Sequence, residues 1–315
     1  MNLIKLLRKQ NQAIYIGIIL ILLLTIKWVT PPVALFTGLV FALLCGQAYS
    51  KFNKKASKYL LQYSVIGLGF GMNLHTSLAS GKEGILFTVL SVFGTMLIGM
   101  LIGRKILKTD TKTSYLISSG TAICGGSAIA AVGPVIKAKD SQMSIALAVV
   151  FILNAIALFI FPSIGHWLNL DQQQFGTWAA IAIHDTSSVV GAGAVYGEEA
   201  LQVATTIKLT RALWIIPLAL LTSFIFKSEG KKIAIPWFIL FFIVAILINT
   251  YFLEDYPRVG ETLSFLARKG LTLSMFFIGA SLSVEGLKQV GLKPLLLGVV
   301  LWILISVVSL FWVMR

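Results

Sequence analysis

Two stretches decide how this sequence is read: Ser119-Gly-Thr-Ala-Ile-Cys124-Gly-Gly-Ser127-Ala-Ile-Ala-Ala-Val-Gly133-Pro134 and Ala179-Ala-Ile-Ala-Ile-His184-Asp185-Thr-Ser-Ser188-Val-Val-Gly191-Ala-Gly-Ala194. Apolar residues flank both, yet a glycine pair and a His-Asp-Thr-Ser-Ser run are poor continuous helix. An unpaired backbone group in lipid costs several kcal/mol, so irregular backbone persists only inside protein or beside a water-filled cavity. Transporters place such breaks near the bilayer midplane and bind ions and solutes there. Two breaks in one chain therefore point to a transporter.

Outward from these stretches the chain is apolar almost throughout. Charged residues make up 12% of the 315, about half the share of a soluble domain, which indicates a polytopic membrane protein. Apolar runs near 20 residues, each long enough to cross the bilayer, recur near 12–29, 33–49, 58–74, 84–103, 114–136, 142–164, 175–196, 203–226, 233–252, 262–284 and 294–313. The expected fold is all-α, with about eleven transmembrane helices. It divides into an N-terminal basic segment with the first helix (1–30) and a transporter body (31–315) of two pseudo-symmetric bundles. Arg268-Lys269 interrupts the tenth run, which could then be a half-helix. No small-residue cleavage site follows the first apolar run, so that run reads as a retained helix.

The net charge of +14 does not indicate nucleic acid. Lys and Arg concentrate on alternate loops, with Lys51, Lys54, Lys55 and Lys58 in one group and Arg104, Lys105, Lys108 and Lys112 in another. Positive loops stay cytoplasmic, which puts the N-terminus inside a cell inner membrane, where these residues meet anionic lipid. Two cysteines, Cys45 and Cys124, and three scattered histidines offer no disulfide framework, metal spacing or cofactor signature. Nothing in the sequence reports oligomeric state, and a homodimer is compatible with it.

Internal echoes suggest repeats. A 60-residue offset superposes the two interruptions and matches Ala122 with Ala182, Ile123 with Ile183, Ser127 with Ser187 and Gly133 with Gly193. A second echo pairs Gly69 with Gly279. The second pair lies in runs of opposite direction, as an inverted repeat requires. The first lies in runs five and seven, which a count of eleven makes parallel, so the two echoes conflict.

After each break the next half-helix begins with free N–H groups and a positive dipole end, which favour an anion. Cys124, Gly125, Gly126 and Ser127 form the first candidate substrate site, and Thr186, Ser187 and Ser188 the second. Close helix packing through small residues is the competing explanation. His184 and Asp185 are ionisable groups inside a span, which by default mark function. They are the candidate proton-coupling pair, although an aspartate there also suits an N-cap. Lys208 and Arg211 share one helix face, a turn or two inside the outer boundary. They either face the site and favour an anion or snorkel to the surface. Arg268 and Lys269 are weaker candidates of the same kind. Asn154 and Asn73 read as amides that join helices.

The segments Gly120-Thr-Ala-Ile-Cys-Gly-Gly-Ser-Ala-Ile-Ala-Ala131, Ile183-His-Asp-Thr-Ser187 and Lys208-Leu-Thr-Arg211 together resemble a family of conserved bacterial inner-membrane proteins carrying the label of sulfate exporters. That family is grouped with a cation–proton antiporter and bile-acid symporter-like clan. The resemblance runs from about residue 30 to the end. Cys-Gly-Gly-Ser also echoes a Gly-Gly motif at the crossing helix of bile-acid symporter relatives, while Arg268-Lys269 departs from the more apolar tenth span expected there. The resemblance implies inverted repeats, broken helices, and a secondary carrier that exports a small inorganic oxyanion such as sulfate or sulfite, coupled to protons or another ion. A Na+/H+ antiporter of the same fold is the alternative, and fixed positive charge at Lys208 and Arg211 counts against it. From other classes come an intramembrane enzyme, with Cys124 or Ser187 as nucleophile, His184 as base and Asp185 as orienter, and a non-transporting structural subunit.

Overall fold

A computed structural model of the chain describes residues 11–25, 29–46, 49–226, 237–281 and 291–315. The basic N-terminal segment and the lysines of 227–236 lie outside the described residues. Among the described residues every regular element is helical, and five helices are long and apolar enough to cross a membrane: Phe87–Ile106, Asp140–Trp167, Glu198–Ile225, Pro257–Ser281 and Leu292–Val313. Shorter apolar helices include Pro31–Cys45 and Trp237–Phe252. The protein is a multi-pass helical membrane protein.

The chain groups into two compact units rather than dividing at residue 30: Met1–Thr76 with Pro236–Val284, and Ser77–Ile235 with Glu285–Arg315. The first unit holds α1 (Asn11–Thr25), α2 (Pro31–Cys45), α3 (Ser50–Gly69), α12 (Trp237–Phe252) and α13 (Pro257–Ser281). Small residues set its spacing. A Cβ on Gly38 would fall 2.2 Å from the Phe276 carbonyl oxygen, and one on Gly279 would fall 2.2 Å from that of Leu35, so α2 and α13 cross with backbones in contact. α13 runs unbroken through Arg268-Lys269, which removes the expected half-helix. Within it the Lys269 ammonium lies over the Phe265 ring at 5.2 Å.

The second unit holds most of α4 (Leu74–Leu101, continued by a π-helical turn at Ile102–Ile106), α5 (Thr111–Ala122), α6 (Gly126–Val135) and α7 (Asp140–Trp167). It continues with α8 (Gln172–Ala182), α9 (Thr186–Tyr196), α10 (Glu198–Ala212), α11 (Ile215–Ile225) and α14 (Leu292–Val313). Both interruptions break their helices where the sequence places them. The course of the chain after each break differs from expectation.

Continued in one direction, α5 and α6 would carry Lys112 and Lys137 more than about 30 Å apart at 1.5 Å per residue. Instead the Lys112 ammonium donates to the Lys137 carbonyl at 2.8 Å, and Gln142, in the first turn of α7, donates to the Asp110 carboxylate at 2.7 Å. The pair is a hairpin that returns to its starting end. α8 and α9 behave alike. The Gln172 side-chain carbonyl accepts from the amides of Glu199 and Ala200 at 3.0 and 3.3 Å, and the rings of Phe175 and Tyr196 stack at 3.7 Å.

Runs 114–136 and 175–196 are therefore each folded back on themselves, where one straight, interrupted helix was expected of each. The first hairpin has its mouth at the N-terminal end of α7, tied by Asp110 and Gln142. The second has its mouth at the C-terminal end, where the His166 ring stacks on Tyr196 at 4.3 Å. Each arm is 10–12 residues long, about 15–18 Å, about half the roughly 30 Å thickness of a hydrocarbon core.

Candidate functional site

The tips of the two hairpins meet beside the middle of α7. Gly125 adopts φ +65°, which suits glycine alone. A Cβ there would lie 3.1 Å from Val150 Cγ1 on α7 and 3.4 Å from both the His184 carbonyl oxygen and Asp185 Cα. The tip of one hairpin thus rests on the backbone of the other. Ile123 and Cys124 at the first tip and Ile183 and His184 at the second are all buried, so the irregular backbone is enclosed by protein, as the bilayer demands.

Each half-helix end at the tips has its own partner, with one exception. Asp185 is the N-cap of α9: its Oδ2 accepts from the Ser187 amide at 3.0 Å and also from the Ser187 hydroxyl. Asn154, midway along α7, turns its Oδ1 to the amides of His184 and Asp185 at 3.0 and 3.2 Å. The joining role expected for Asn154 is thus specific: it satisfies two N–H groups that the break exposes. The exception is the N-terminus of α6, whose N-cap Gly125 makes no side-chain hydrogen bond and where the Cys124 thiol is the group that meets the Ala128 amide and the Ser127 hydroxyl.

Lys208 and Arg211 sit in the middle of the continuous Glu198–Ile225 run, deeper than the outer boundary expected from sequence. Both are fully buried, which excludes snorkelling. The Lys208 ammonium donates to the carbonyls of Ala180 and Ile183 at 3.2 and 2.7 Å, closing the C-terminal end of α8. The Arg211 guanidinium donates to the Ala122 carbonyl at 2.6 Å, closing α5, and to the Ser91 hydroxyl on α4 at 3.0 Å. Two cations on one helix thus cap the negative dipole ends of two hairpins. The sequence did not single out Ser91; a lone serine in an apolar helix gives no signal.

Several buried polar atoms near the tips have no hydrogen-bond partner among the described residues: Nδ1 and Nε2 of His184, Nδ2 of Asn154, Nε of Arg211 and Oγ1 of Thr121. His184 lies within Coulombic range of Lys208 and Arg211, and Cys124 within that of Lys208 and Asp185. Buried polar atoms are almost always paired, so this cluster is unusual and coincides with the tip contact.

Of the sequence candidates, Cys124, Gly125, Gly126, His184, Asp185, Thr186, Ser187, Ser188, Lys208 and Arg211 all fall at the two tips or on the helix that caps them. Ser127, in the first turn of α6, is exposed and Asp185 is half-buried. Arg268 and Lys269 belong to the first unit. The pairing a nucleophilic triad needs is not formed, since Asp185 takes Ser187 rather than His184. Among the described residues no group of three or more His, Cys, Asp or Glu could hold a metal ion.

A helical membrane protein with two hairpins meeting tip to tip, braced by buried cations, is the class that fold and site define. The chain belongs to the family described as Conserved hypothetical protein 698, which matches residues 12–298. It is 72% identical over 286 residues to a UPF0324 membrane protein of Bacteroides thetaiotaomicron, covering 91% of this chain and 87% of that one. It is 67% identical over 290 residues to one of Porphyromonas gingivalis, covering 91% and 88%. A UPF0324 membrane protein of Vibrio vulnificus is 51% identical over 303 residues, covering 93% and 96%. No solved structure matches.

Proposed function

We propose that this protein is a secondary carrier that exports a small inorganic oxyanion, of the sulfate or sulfite kind, across the inner membrane through the site where the hairpin tips meet. One observation carries the reading: the unpartnered buried atoms at the tips are rich in donors. Arg211 Nε and Asn154 Nδ2 can only donate, and the start of α6 adds the exposed Ser127 hydroxyl beside an N-cap without a side-chain bond. Such a set suits a solute made of acceptor oxygens. His184 and Asp185 are the groups through which a proton couples to it.

The opposed hairpins support an inverted repeat. Their mouths lie at opposite ends of α7, so the 60-residue echo between the two tips relates antiparallel units, and the conflict between the two sequence echoes disappears. Charge agrees. Returning the first hairpin to its starting side brings Lys137 and Lys139 to the side of Arg104, Lys105, Lys108 and Lys112, which strengthens the positive-inside asymmetry with a cytoplasmic N-terminus. Alternating access through one site near the midplane is the expected use of such symmetry.

Flux of labelled sulfate and sulfite in proteoliposomes, at imposed pH and Na+ gradients, tests the reading. Saturable oxyanion flux dependent on one of those gradients supports it, and its absence with active reference proteoliposomes counts against it. A Na+/H+ antiporter is the second reading, favoured by the half-buried carboxylate of Asp185 at the tip. Lys208 and Arg211 weigh less against it than the sequence suggested, because both are engaged with helix C-termini. Na+-driven proton movement without oxyanion would select it.

A further inference from the structure

We infer that the two hairpin mouths set the sidedness of anion capture: the face with the first mouth draws the anion in and the face with the second repels it, so the carrier half-saturates at a lower anion concentration from the first face. This deepens the oxyanion reading above and rests on it. In the orientation proposed there the first face is cytoplasmic, the side from which an exporter must load.

The two mouths are built alike, which makes their charges comparable. α4, through its π-helical turn, ends on Lys108 at φ +51°, and α7 ends on Asn169 at φ +52°. Two residues on, Asp110 and Asp171 are the N-caps of α5 and α8 and accept from the amides of Thr113 and Gln174 at 3.0 and 2.8 Å. These two carboxylates are equivalent, so the contrast lies in the other residues. Around the first mouth stand Arg104, Lys105, Lys108, Lys112, Lys137 and Lys139, all but Lys112 exposed, with Asp140 as the further acid among the described residues. The Lys112 bond to the Lys137 carbonyl at 2.8 Å joins the two groups of cations. Around the second mouth stand Glu198 and Glu199, both exposed, and residues 165–200 contain no lysine or arginine. α14 adds one cation at each end, Lys293 and Arg315, because its Leu297 lies beside Gly103 and its Val313 carbonyl accepts from Gln174 at 3.3 Å. That pair leaves the contrast unchanged.

The backbone carries the same contrast. A left-handed residue after a helix is most often glycine, sometimes asparagine. Asn169 fits that rule. At the first mouth two lysines take the conformation instead, Lys108 and Lys137, the latter at φ +50°, at a steric cost that glycine avoids. A helix C-terminus favours a cation, but that holds equally at Asn169, where none stands. Retention of loops in the cytoplasm does not account for the second mouth either, since it is set by lysine and arginine while acids contribute little.

Charge of one sign around an opening with low-dielectric walls concentrates counter-ions and raises on-rates by about 10–10³. Salt screens it, with a Debye length of about 10 Å at 0.1 M and about 3 Å at 1 M. The effect moves the half-saturating concentration at each face and leaves the final gradient to the coupling ion.

Flux of labelled sulfate and sulfite through the full-length protein, reconstituted in one orientation in zwitterionic lipid, tests this from each face in turn. At low salt, half-saturation from the first-hairpin face is expected at a concentration at least about tenfold lower, the low end of the steering range. Salt near about 1 M should bring the two values together. Joint replacement Lys105→Gln and Lys139→Gln should raise the value from the first face alone. Joint replacement Glu198→Gln and Glu199→Gln should lower the value from the second face alone. Should either variant not fold, the wild-type salt response decides. Equal values from both faces, or a difference that survives high salt or both pairs of replacements, overturns the inference and leaves the oxyanion reading standing. No flux of either ion overturns both.

Discussion

The first hairpin closes with Cys124, Gly125 and Gly126 and is gripped at its tip by one side chain from elsewhere, Arg211 through the Ala122 carbonyl. The second closes with His184 and Asp185 and is gripped by Asn154 at two amides, by Lys208 at two carbonyls, and by its own aspartate. The arms are nearly equal in length and the tips lie against one another, so the difference is in the holding. Bonds from α7 and α10 make the second tip a fixed wall. Glycine and fewer external bonds among the described residues make the first tip the softer one, at the low-stability end where moving elements are found.

The largest effect is expected where one side chain satisfies most of the backbone. Lys208→Met leaves the carbonyls of Ala180 and Ile183 buried without a partner, at about 1–3 kcal/mol each, so the variant should lose transport and melt well below wild type in detergent. Lys208→Arg restores a donor and should recover part of both. Were the second tip no better held than the first, Lys208→Met and Arg211→Met would lower the melting temperature equally.

Asn154 comes next and separates holding from binding. Asn154→Leu abandons two amides, at about 1–3 kcal/mol each, seen as a lowered thermal midpoint. Asn154→Asp keeps the acceptor but removes the donor and adds negative charge, so it should stay folded while losing anion binding. Retained binding in the Asp variant would remove Asn154 Nδ2 from the site.

Gly125→Ala should cost about 1–3 kcal/mol, because the backbone there lies in a region that side chains avoid. The new methyl would also press on Val150. The stability loss, measured by thermal unfolding, should be similar in Gly125→Val or larger, with transport slowed in both.

The smallest effect is a rate. In a Cys45→Ser background, Cys124 should react slowly with a small thiol reagent, since it is almost wholly buried. It should still react faster than a cysteine placed at the second tip by Ser187→Cys in a protein lacking the native cysteines. Equal rates would mean that both tips open alike.

The same contrast shows what the sequence could and could not reveal. Both breaks were legible, because Gly125-Gly126 and His184-Asp185 cannot continue a helix cheaply, and the N-cap role of Asp185 followed from its residue type. Re-entry was not legible. The largely apolar run 114–136 is long enough to cross, and hydropathy reports length without direction. The clue was the conflict between two repeat echoes, together with Lys137 and Lys139 falling on the side poor in positive charge. The depth of Lys208 and Arg211 was not legible for a related reason: hydropathy does not mark where a run begins, and α10 begins at Glu198, so the pair lies mid-run, where the inward-facing alternative holds. Which backbone groups the two cations cap depends on hairpin geometry that no local pattern encodes.

The opposed entry of the two hairpins is tested most directly by sidedness. In protein lacking native cysteines, single cysteines at Lys112, Lys137, Gln172 and Glu199 can be labelled with an impermeant reagent in right-side-out and in inverted vesicles. Lys112→Cys and Lys137→Cys should label from one common side, and Gln172→Cys and Glu199→Cys from the other. Labelling of the 112 and 137 positions from opposite faces would mean that α5 and α6 cross the membrane, and the meeting of two opposed tips would have to be abandoned.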